Sequence, residues 1–365
     1  MAKLRKNSSH GESLCRLLNI FGDMNLKRIT LAVAALAVAF GAYAQPQMGG
    51  MRSSKRVSVL VDNDLCGDGD GLFHMVHQLL CTSSDVRGIV GAHVGASSQA
   101  WGQTSGEARK NNAEISAGRA EEILELIGQK GKVAVRPGAP APMTDSKTPV
   151  VSDGAKLIIE EAKKASPEKP LYLLFGGPLT DIASAWLMDK SISKNVILLW
   201  IGGQEYSFGH PFPPEHNKGQ NLVEYNLRLD VNAAKTVFND SDLTIWQIPR
   251  DVYRQAMYSM AELETKIAPL GKIGDYLMSK LGAFARMADT YVLGDSPLCL
   301  ISTLTTTFEP GAAGSFYEVT PAPMITDEGL YDFSKKGRDI IVYKTIDTRL
   351  LFGDMEARFT LEARK

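Results

Sequence analysis

Short apolar runs alternate with amphipathic stretches from residue 57 to residue 248. Each run is rich in leucine or β-branched residues and is followed by glycine, proline or acidic residues, which is typical of a buried strand. The stretches between the runs repeat their apolar residues at helical spacing. Strands are therefore predicted at 57–62, 89–90, 133–135, 171–175, 196–201 and 244–248, and helices at 72–80, 111–129, 154–164, 180–188 and 231–237. This alternation predicts an α/β fold with an open, mostly parallel, doubly wound sheet and helices on both faces.

The pattern is weaker towards the C terminus. Residues 260–286 are mostly helical in pattern, and residues 340–343 resemble one further strand. The rest of 302–365 gives no clear prediction, because it can either cap the fold or join subunits.

Four carboxylates follow the first predicted strand: Asp62, Asp64, Asp68 and Asp70. Two such charges that lie close together in a partly buried site repel each other by about 4 kcal/mol. A chain that groups them is therefore expected to neutralise them with a cation. Ligation by oxygen alone suits Ca²⁺ or Mg²⁺, and the lack of nearby His or Cys pairs argues against zinc.

Three other interpretations compete for the same cluster. It can be a solvent-exposed acidic loop, although the strand that leads into it and its interleaved glycines disfavour that. An EF-hand is excluded, because no choice of first Asp places a Glu at the twelfth position. A phosphatase of the haloacid dehalogenase type would use Asp62 as nucleophile with Mg²⁺. That family expects Thr or Val at the position of Cys66 and has no use for Asp68 and Asp70.

Polar or glycine-rich turns follow three of the predicted strands, at 62–70, 176–177 and 202–203. Ligands of doubly wound sheets bind at the carboxyl ends of the strands, so these turns are expected to converge on one crevice. The long loop at 204–221 can serve as a lid. Asp230, just before a predicted helix, is expected to be its N-cap.

The first 44 residues indicate an extension followed by a signal peptide. Lys27 and Arg28 give a basic start, residues 29–40 give a short apolar core, and the segment Ala-Tyr-Ala at 42–44 gives a cleavage site. Met24 is the expected initiator, with a real extension at 1–23 as the alternative. The apolar core is too short to span a bilayer, and no lipobox cysteine follows it.

These features predict an exported protein, periplasmic or secreted, that has no membrane span. A linker at 45–55 then precedes one domain at 56–365. Cleavage leaves Cys66, Cys81 and Cys299, an odd and irregularly spaced set that is not a disulfide framework. Cys81 and Cys299 stand among apolar residues and are expected to be buried.

Charge is nearly balanced over the 365 residues, with 40 basic and 41 acidic side chains. This balance favours neither nucleic acid nor an anionic membrane surface as a partner. A small molecule is expected instead.

Four segments, taken in order, resemble the calcium-dependent inosine-uridine nucleoside hydrolases. That family carries an Asp-x-Asp-x-x-x-Asp cluster after its first strand, a Gly-Pro-Leu-Thr-Asn turn, a Glu-Phe-Asn-x-x-x-Asp block and a late Asp. The matching segments here are DNDLCGDGDG at 62–71, FGGPLTD at 175–181, EYNLRLD at 224–230 and GDSP at 294–297. The resemblance extends over residues 56–300 and is specific as a set.

The resemblance implies a role for each matching residue. Asp64 matches a metal ligand that is also the general base, and Asp295 matches a metal ligand that also contacts the ribose. The carbonyl oxygen of Gly176 matches a calcium ligand. Glu224 and Asn226 match residues that bind ribose hydroxyls.

Asp68 and Asp70 share the two remaining roles, one as a metal ligand and the other as a ribose ligand. Counting from Asp64 gives the ribose role to Asp68, whereas position before the helix gives it to Asp70, and both assignments stay open. Asp62 is also a candidate for substrate binding.

The chain departs from the family at two positions. Gly294 replaces the His that is thought to assist the departing base, and His93 or Gly95 stands where the family has a ribose-binding Asn. Side chains that could replace the missing His are Tyr206, His210, His216 and Tyr253.

Aromatic residues offer partners for stacking on the base. Trp200 and Trp246 lie in apolar strands and are expected to belong to the core. Tyr206, in the long loop, is the better candidate.

The resemblance thus implies an enzyme that hydrolyses the N-glycosidic bond of purine or pyrimidine ribonucleosides to ribose and free base. It implies Ca²⁺ as the cofactor and a nucleoside as the substrate, and a homo-oligomer is expected. A non-catalytic calcium-dependent nucleoside or sugar-binding protein and an Mg²⁺-dependent phosphatase stay open as alternatives.

Overall fold

Eight of the strands form one open sheet. The computed structural model describes residues 57–94, 112–206, 223–281, 288–304 and 314–365. The strands of the sheet are β1 (Val57–Asn63), β2 (Ser84–Gly91), β3 (Val135–Pro137), β4 (Leu171–Gly176), β5 (Val196–Ile201), β6 (Thr244–Ile248), β9 (Phe316–Ile325) and β10 (Tyr331–Thr345). A separate antiparallel pair consists of β7 (Met257–Ser259) and β8 (Thr290–Val292).

The strand order of the sheet reverses beside β1. The order is β3-β2-β1-β4-β5-β6-β10-β9, so the chain runs outwards from β1 to β3 and then returns to β4 on the other side. All pairings are parallel except that of β9 with β10. A reversal of this kind leaves a crevice at the carboxyl ends of the two strands, which is the usual ligand site of such sheets.

Helices cover both faces of the sheet. They are α1 (Asp70–Leu80), α2 (Asn112–Leu126), α3 (Asp153–Lys164), α4 (Thr180–Met188), α5 (Tyr225–Leu229), α6 (Val231–Lys235), α7 (Arg250–Tyr253), α8 (Met260–Glu262), α9 (Gly271–Lys280), α10 (Pro297–Thr303) and α11 (Thr348–Ala363). A 3₁₀ turn (Lys190–Asn195) precedes β5, and π-helical turns (Thr236–Asp240 and Leu263–Ile267) follow α6 and α8. None of the helices in the described ranges is long and apolar enough to cross a membrane.

The sheet separates two apolar cores. Val59 and Val61 belong to the core that contains residues of α1, α2, α9, α10 and α11, whereas Leu60 belongs to the core that contains residues of α3, α4 and α6. Successive side chains of a strand point to opposite faces, so neighbouring apolar residues of β1 contribute to different cores. The prediction of a doubly wound α/β sheet is therefore confirmed.

The C-terminal sequence completes both the sheet and one core. β10 pairs in parallel with β6 and carries β9 on its outer side. α11 packs against α1, with the rings of Phe359 and Phe73 6.5 Å apart. These residues therefore cap the fold.

Several predicted boundaries differ from the structure. The helix predicted at 111–129 is Asn112–Leu126, and two further differences have a local cause. β3 begins at Val135 rather than at residue 133, because the turn that includes Gly131, at φ +74°, extends to residue 133. The helix predicted at 231–237 becomes π-helical at Thr236, whose hydroxyl donates to the carbonyls of Asn232 and Ser146. The predicted N-cap is confirmed, since Asp230 accepts a hydrogen bond from the amide of Ala233 at 2.9 Å.

Candidate active site

A cavity of about 280 Å³ opens at the carboxyl ends of β1, β4 and β5. It is lined by Asp64, Gly67, Asp68, Asp70, Gly176, Ile201, Glu224, Tyr225, Asn226, Tyr253, Gly294 and Asp295. Each of the four sequence segments at 62–71, 175–181, 224–230 and 294–297 contributes to this lining. The fold thus brings together residues that are more than 200 positions apart in the chain.

Burial and mutual repulsion make the carboxylates of this cavity hard to ionise. Burial is the main reason that the pKa values of Asp64 and Asp70 are raised, and the charges of Asp295 and Asp68 raise both further. Burial also raises the pKa of Asp295 to about 8, although a hydrogen bond from Asn63 opposes the shift. A positive charge among these groups would lower all three pKa values.

Asp295 is held from two sides. The amide nitrogen Nδ2 of Asn63 donates to Oδ2 of Asp295 at 2.8 Å, and the backbone N–H of Asp295 donates to Oδ2 of Asp70 at 3.2 Å. Gly176, the residue paired with Asn63 across β1 and β4, lies so close that a Cβ atom there would be 2.6 Å from Oδ2 of Asp295. The late Asp is thus positioned by the ends of both central strands.

Asn63 is a site residue that sequence analysis missed. It stands between Asp62 and Asp64 in a cluster where the carboxylates were the evident ligands. The one available signal was a neutral amide among charged residues at a strand end.

Glu224 is hydrogen-bonded to three neighbouring segments: the turn after β5, α5 and α7. Its Oε2 accepts the backbone N–H of Gly203 at 2.8 Å and that of Leu227 at 3.1 Å, which makes Glu224 the N-cap of α5. Its Oε1 accepts the hydroxyl of Tyr253 at 3.0 Å. Burial raises the pKa of Glu224, and these hydrogen bonds oppose the shift. Nearby, Nδ2 of Asn226 donates to the carbonyl of Ile201 at 2.9 Å.

Tyr253 occupies the space beside Gly294, the position where the resembled family has a His. A Cβ atom on Gly294 would lie 3.3 Å from Cδ2 of Tyr253 and 3.1 Å from Oδ2 of Asp70. Both contacts are tighter than ordinary packing. The Tyr253 ring therefore fills volume that a side chain at 294 would need.

Other candidates lie away from the cavity lining. Asp62 is fully buried, and burial together with Asp181 and Asp64 raises its pKa well above the ordinary value. A nucleophile has to meet its substrate, so this position does not favour the phosphatase interpretation. The hydroxyl of Tyr206 donates to Gln247 at 2.6 Å, and its ring packs on Tyr331 and Phe333.

The remaining candidates are partly outside the described residues. Nε2 of His93 lies 2.9 Å from the hydroxyl of Thr180. Trp200 is fully buried, as predicted for a core residue, whereas Trp246 is half-buried. Gly95, His210 and His216 lie outside the described ranges.

The donor chemistry of the cavity fits a hard divalent cation. Its candidate ligands are carboxylate and carbonyl oxygens, which Ca²⁺ and Mg²⁺ prefer. The carboxylates are spread around the wall, and no three His, Cys, Asp or Glu side chains of the described ranges form a ready metal-binding group. The match between this cavity and a divalent cation thus rests on two features: its donors are oxygen atoms, and its buried acidic groups repel one another.

Solved structures with the same fold come from plants and bacteria. A plant nucleoside hydrolase is 17% identical with a TM-score of 0.61, and the match covers 83% of this chain and 99% of that one. A purine-preferring ribonucleoside hydrolase from Gardnerella vaginalis is 17% identical with a TM-score of 0.59, covering 84% of this chain and 99% of that one. An inosine-uridine preferring nucleoside hydrolase from Bacillus anthracis is 16% identical with a TM-score of 0.59, covering 83% and 99%. No curated protein sequence matches the chain.

A family model assigns the chain directly. The model described as inosine-uridine preferring nucleoside hydrolase matches residues 59–315, which is well over half of the chain. The matched range contains all the residues that line the cavity. The chain belongs to the inosine-uridine preferring nucleoside hydrolase family, whose members hydrolyse N-glycosyl compounds.

Proposed function

We propose that this chain hydrolyses ribonucleosides at the described cavity, with Asp64 as general base and one Ca²⁺ ion as cofactor. The observation that carries the proposal is that Asp64, Asp70 and Asp295 share one cavity with Glu224 and Asn226. The cavity thus holds three carboxylates for a cation and two polar side chains for a sugar.

Ca²⁺ is the proposed ion because the donors are all oxygens and are numerous. Asp64, Asp70, Asp295 and the carbonyl oxygen of Gly176 are the proposed ligands. When bound, Ca²⁺ supplies a positive charge that orients ribose hydroxyls and a water molecule. Asp70 is preferred to Asp68 as ligand because it already contacts the backbone of Asp295. Asp68 is exposed and remains available to the sugar.

Asp64 is proposed to take the proton from the attacking water. Hydrolysis of an N-glycosidic bond passes through an oxocarbenium-like state, as in glycoside hydrolysis, and a carboxylate that accepts the proton lowers the barrier to attack. Glu224 and Asn226 would bind sugar hydroxyls away from the reacting carbon, so that their binding energy positions that carbon. Their hydrogen bonds to α5 and to β5 hold both side chains in place.

Tyr253 is proposed to assist the departing base. It lines the cavity and fills the space beside Gly294. Burial and the neighbouring Glu224 raise the pKa of its hydroxyl well above the ordinary value, so the group stays protonated. Its proton is donated to Glu224 in this structure, and the hydroxyl would turn from Glu224 to the base. Its role would replace that of the family His.

The primary test is sugar release from inosine and from uridine by the protein that starts at Gln45, with added Ca²⁺. We expect Asp64→Asn to lower kcat about 10²- to 10⁴-fold, the usual effect of losing a general base. Asp153→Asn, on the exposed start of α3, is the matched control and should keep full activity. Equal rates for wild type and Asp64→Asn would refute the proposal, and nucleoside binding without cleavage would select the non-catalytic alternative.

A second test addresses the departing base. Tyr253→Phe removes the hydroxyl and should lower kcat about 10²-fold with little effect on KM. Tyr276→Phe is a matched control, because the hydroxyl of Tyr276 also donates to a glutamate, Glu122, at 2.9 Å. Unchanged kcat in Tyr253→Phe would remove Tyr253 from the mechanism.

We also propose that the chain is exported and forms a homo-oligomer. The basic start, the apolar core and the Ala-Tyr-Ala segment at 42–44 support export. N-terminal sequencing of the exported protein should begin at Gln45, and light scattering should give a mass above that of one chain. An N terminus at Met1 or a monomer mass would contradict the respective proposal.

A further inference from the structure

Two cysteines meet at the ends of α1 and α10, away from the cavity lining. Cys81 directly follows α1, and Cys299 lies in the first turn of α10. Both are buried, with 3% and 0% of their surface exposed. The sulfur atoms of both contact Oγ1 of Thr303 at 3.4 Å.

The shared contact with Thr303 limits how far apart the sulfur atoms can be. Two atoms that lie 3.4 Å from a common atom are separated by at most twice that distance. Thr303 and Cys299 are four positions apart on α10, so both side chains occupy the same face of the helix. That face points at Cys81, whose thiol also contacts Ser83 at 3.3 Å. The hydroxyl of Ser83 in turn donates to the carbonyl of Thr303 at 3.1 Å.

The two thiols differ in acidity. A hydrogen bond from Cys299 is the largest cause that lowers the pKa of Cys81, to about 5, and Ser83, Thr303 and Arg358 act in the same direction. Burial raises the pKa of Cys299 well above the ordinary value. In this structure the Cys81 thiol donates to Thr303, and the two opposite pKa shifts favour Cys81 over Cys299 as the first of the pair to lose its proton.

Both thiols are free in this structure, and the number and spacing of the cysteines did not predict a disulfide framework. From the closeness of the two sulfur atoms we nevertheless propose that Cys81 and Cys299 form a disulfide bond between α1 and α10 when the chain folds in an oxidising compartment. The oxidant is a disulfide, either a small molecule such as oxidised glutathione or a disulfide-donor protein. Before folding buries the two side chains, the thiolate of Cys81 attacks one sulfur of that disulfide and forms a mixed disulfide, and one thiolate leaves. Cys299 then loses its proton and attacks the sulfur of Cys81, which releases the second thiolate.

The exchange balances in electrons and protons. The two cysteines lose two electrons and two protons, and the oxidant takes them up to become two thiols. No further co-reactant is needed. The step is independent of nucleoside hydrolysis, so either proposal can fail alone.

The bond would tie together the two helices that begin at the cavity. α1 begins at Asp70, and α10 begins two residues after Asp295. A bond between positions 81 and 299 closes a loop of about 220 residues, and cross-links over long loops remove much entropy from the unfolded chain. We expect oxidation to raise Tm by about 5 °C for a chain of this size.

Peptide mapping tests the bond directly. The full chain is produced in an oxidising secretory compartment, its free thiols are alkylated under denaturing conditions, and the unreduced digest is analysed by mass spectrometry. We expect a linked peptide that contains Cys81 and Cys299, with Cys66 alkylated. Alkylation of both Cys81 and Cys299, or a bond from either one to Cys66 or Cys15, would overturn the proposal.

Thermal unfolding supplies a second readout. Reductant should lower Tm of the wild type by about 5 °C, and the same shift should appear in Cys66→Ser, whose cysteine lies in a separate apolar cluster with Val94. Cys299→Ser should show no shift with reductant. If Cys299→Ser does not fold, the proposal is judged from the linked peptide and from the change in Tm that reductant causes in the wild type. A wild type whose Tm is unaffected by reductant would count against the bond.

Discussion

Replacing Gly176 with alanine tests how closely the site is packed. The new Cβ atom would lie 2.2 Å from Nδ2 of Asn63 and 2.6 Å from Oδ2 of Asp295. Ordinary contacts between non-bonded atoms are about 3.5–4.0 Å, so at least one of these side chains has to move by about an ångström. Because both are buried, that movement breaks the 2.8 Å hydrogen bond between them.

The expected loss of stability has two parts. Overpacking a buried site costs about 1–3 kcal/mol, and leaving a buried polar group without its partner costs about 1–3 kcal/mol. Gly176→Ala should therefore lower the free energy of unfolding by about 2–6 kcal/mol. Displacing Asp295 by about an ångström should also lower the rate of nucleoside hydrolysis about 10²-fold.

Gly118→Ala is the matched control for this change. Gly118 lies inside α2, and a Cβ atom there would meet no atom within 4 Å. Alanine is favoured over glycine in a helix by about 1 kcal/mol, so the control should be slightly more stable and fully active. Urea unfolding and sugar release measured on both variants complete the test. A Gly176→Ala protein with wild-type stability and activity would refute the described packing of Asn63, Gly176 and Asp295.

Three further predictions concern pH, stability and metal. Burial, aided by His77, lowers the pKa of His74 to about 3, so His74 should contribute a loss of about 1.4 kcal/mol of stability per pH unit as pH falls from 6.5 towards 3. Urea unfolding over this range should show that contribution missing in His74→Leu and kept in Phe73→Leu, and equal pH slopes for wild type and His74→Leu would contradict it. Arg338 donates to three backbone carbonyls at 2.8–3.1 Å, so Arg338→Met should cost about 2–4 kcal/mol in urea unfolding, whereas the exposed Lys335→Met should change little. Protein treated with a chelator should melt about 4 °C below protein with Ca²⁺ at 100 times Kd, because the ion binds the folded state alone. Identical melting curves would argue against a bound ion.

Sequence analysis predicted those parts of the fold whose patterns are local. Five of the strands from β1 to β6 lie where apolar runs were found, and β3 begins two residues later. The β9–β10 pair was predicted only at 340–343, because β10 includes the polar stretch from Ser334 to Arg338, which hides its alternation. The order of strands in the sheet depends on long-range packing and has no local signal.

The same distinction applies to the site. Asp64, Asp295 and Glu224 could be selected because carboxylates in matching segments stand out in a sequence. Asn63 could not, because its role depends on a hydrogen bond to a residue 232 positions away. The space that Tyr253 takes beside Gly294 was likewise invisible, since a contact between α7 and the loop after β8 leaves no pattern in either segment.

The choice of Asn63 as partner for Asp295 has an electrical consequence. A lysine or arginine at this position would also have fixed the carboxylate, but it would have cancelled its charge. The amide of Asn63 carries no net charge and does not titrate. It holds the side chain of Asp295 in place without adding a positive charge, so the cavity keeps whatever negative charge it carries for an entering cation. Added salt would weaken this hydrogen bond less than it weakens an ion pair.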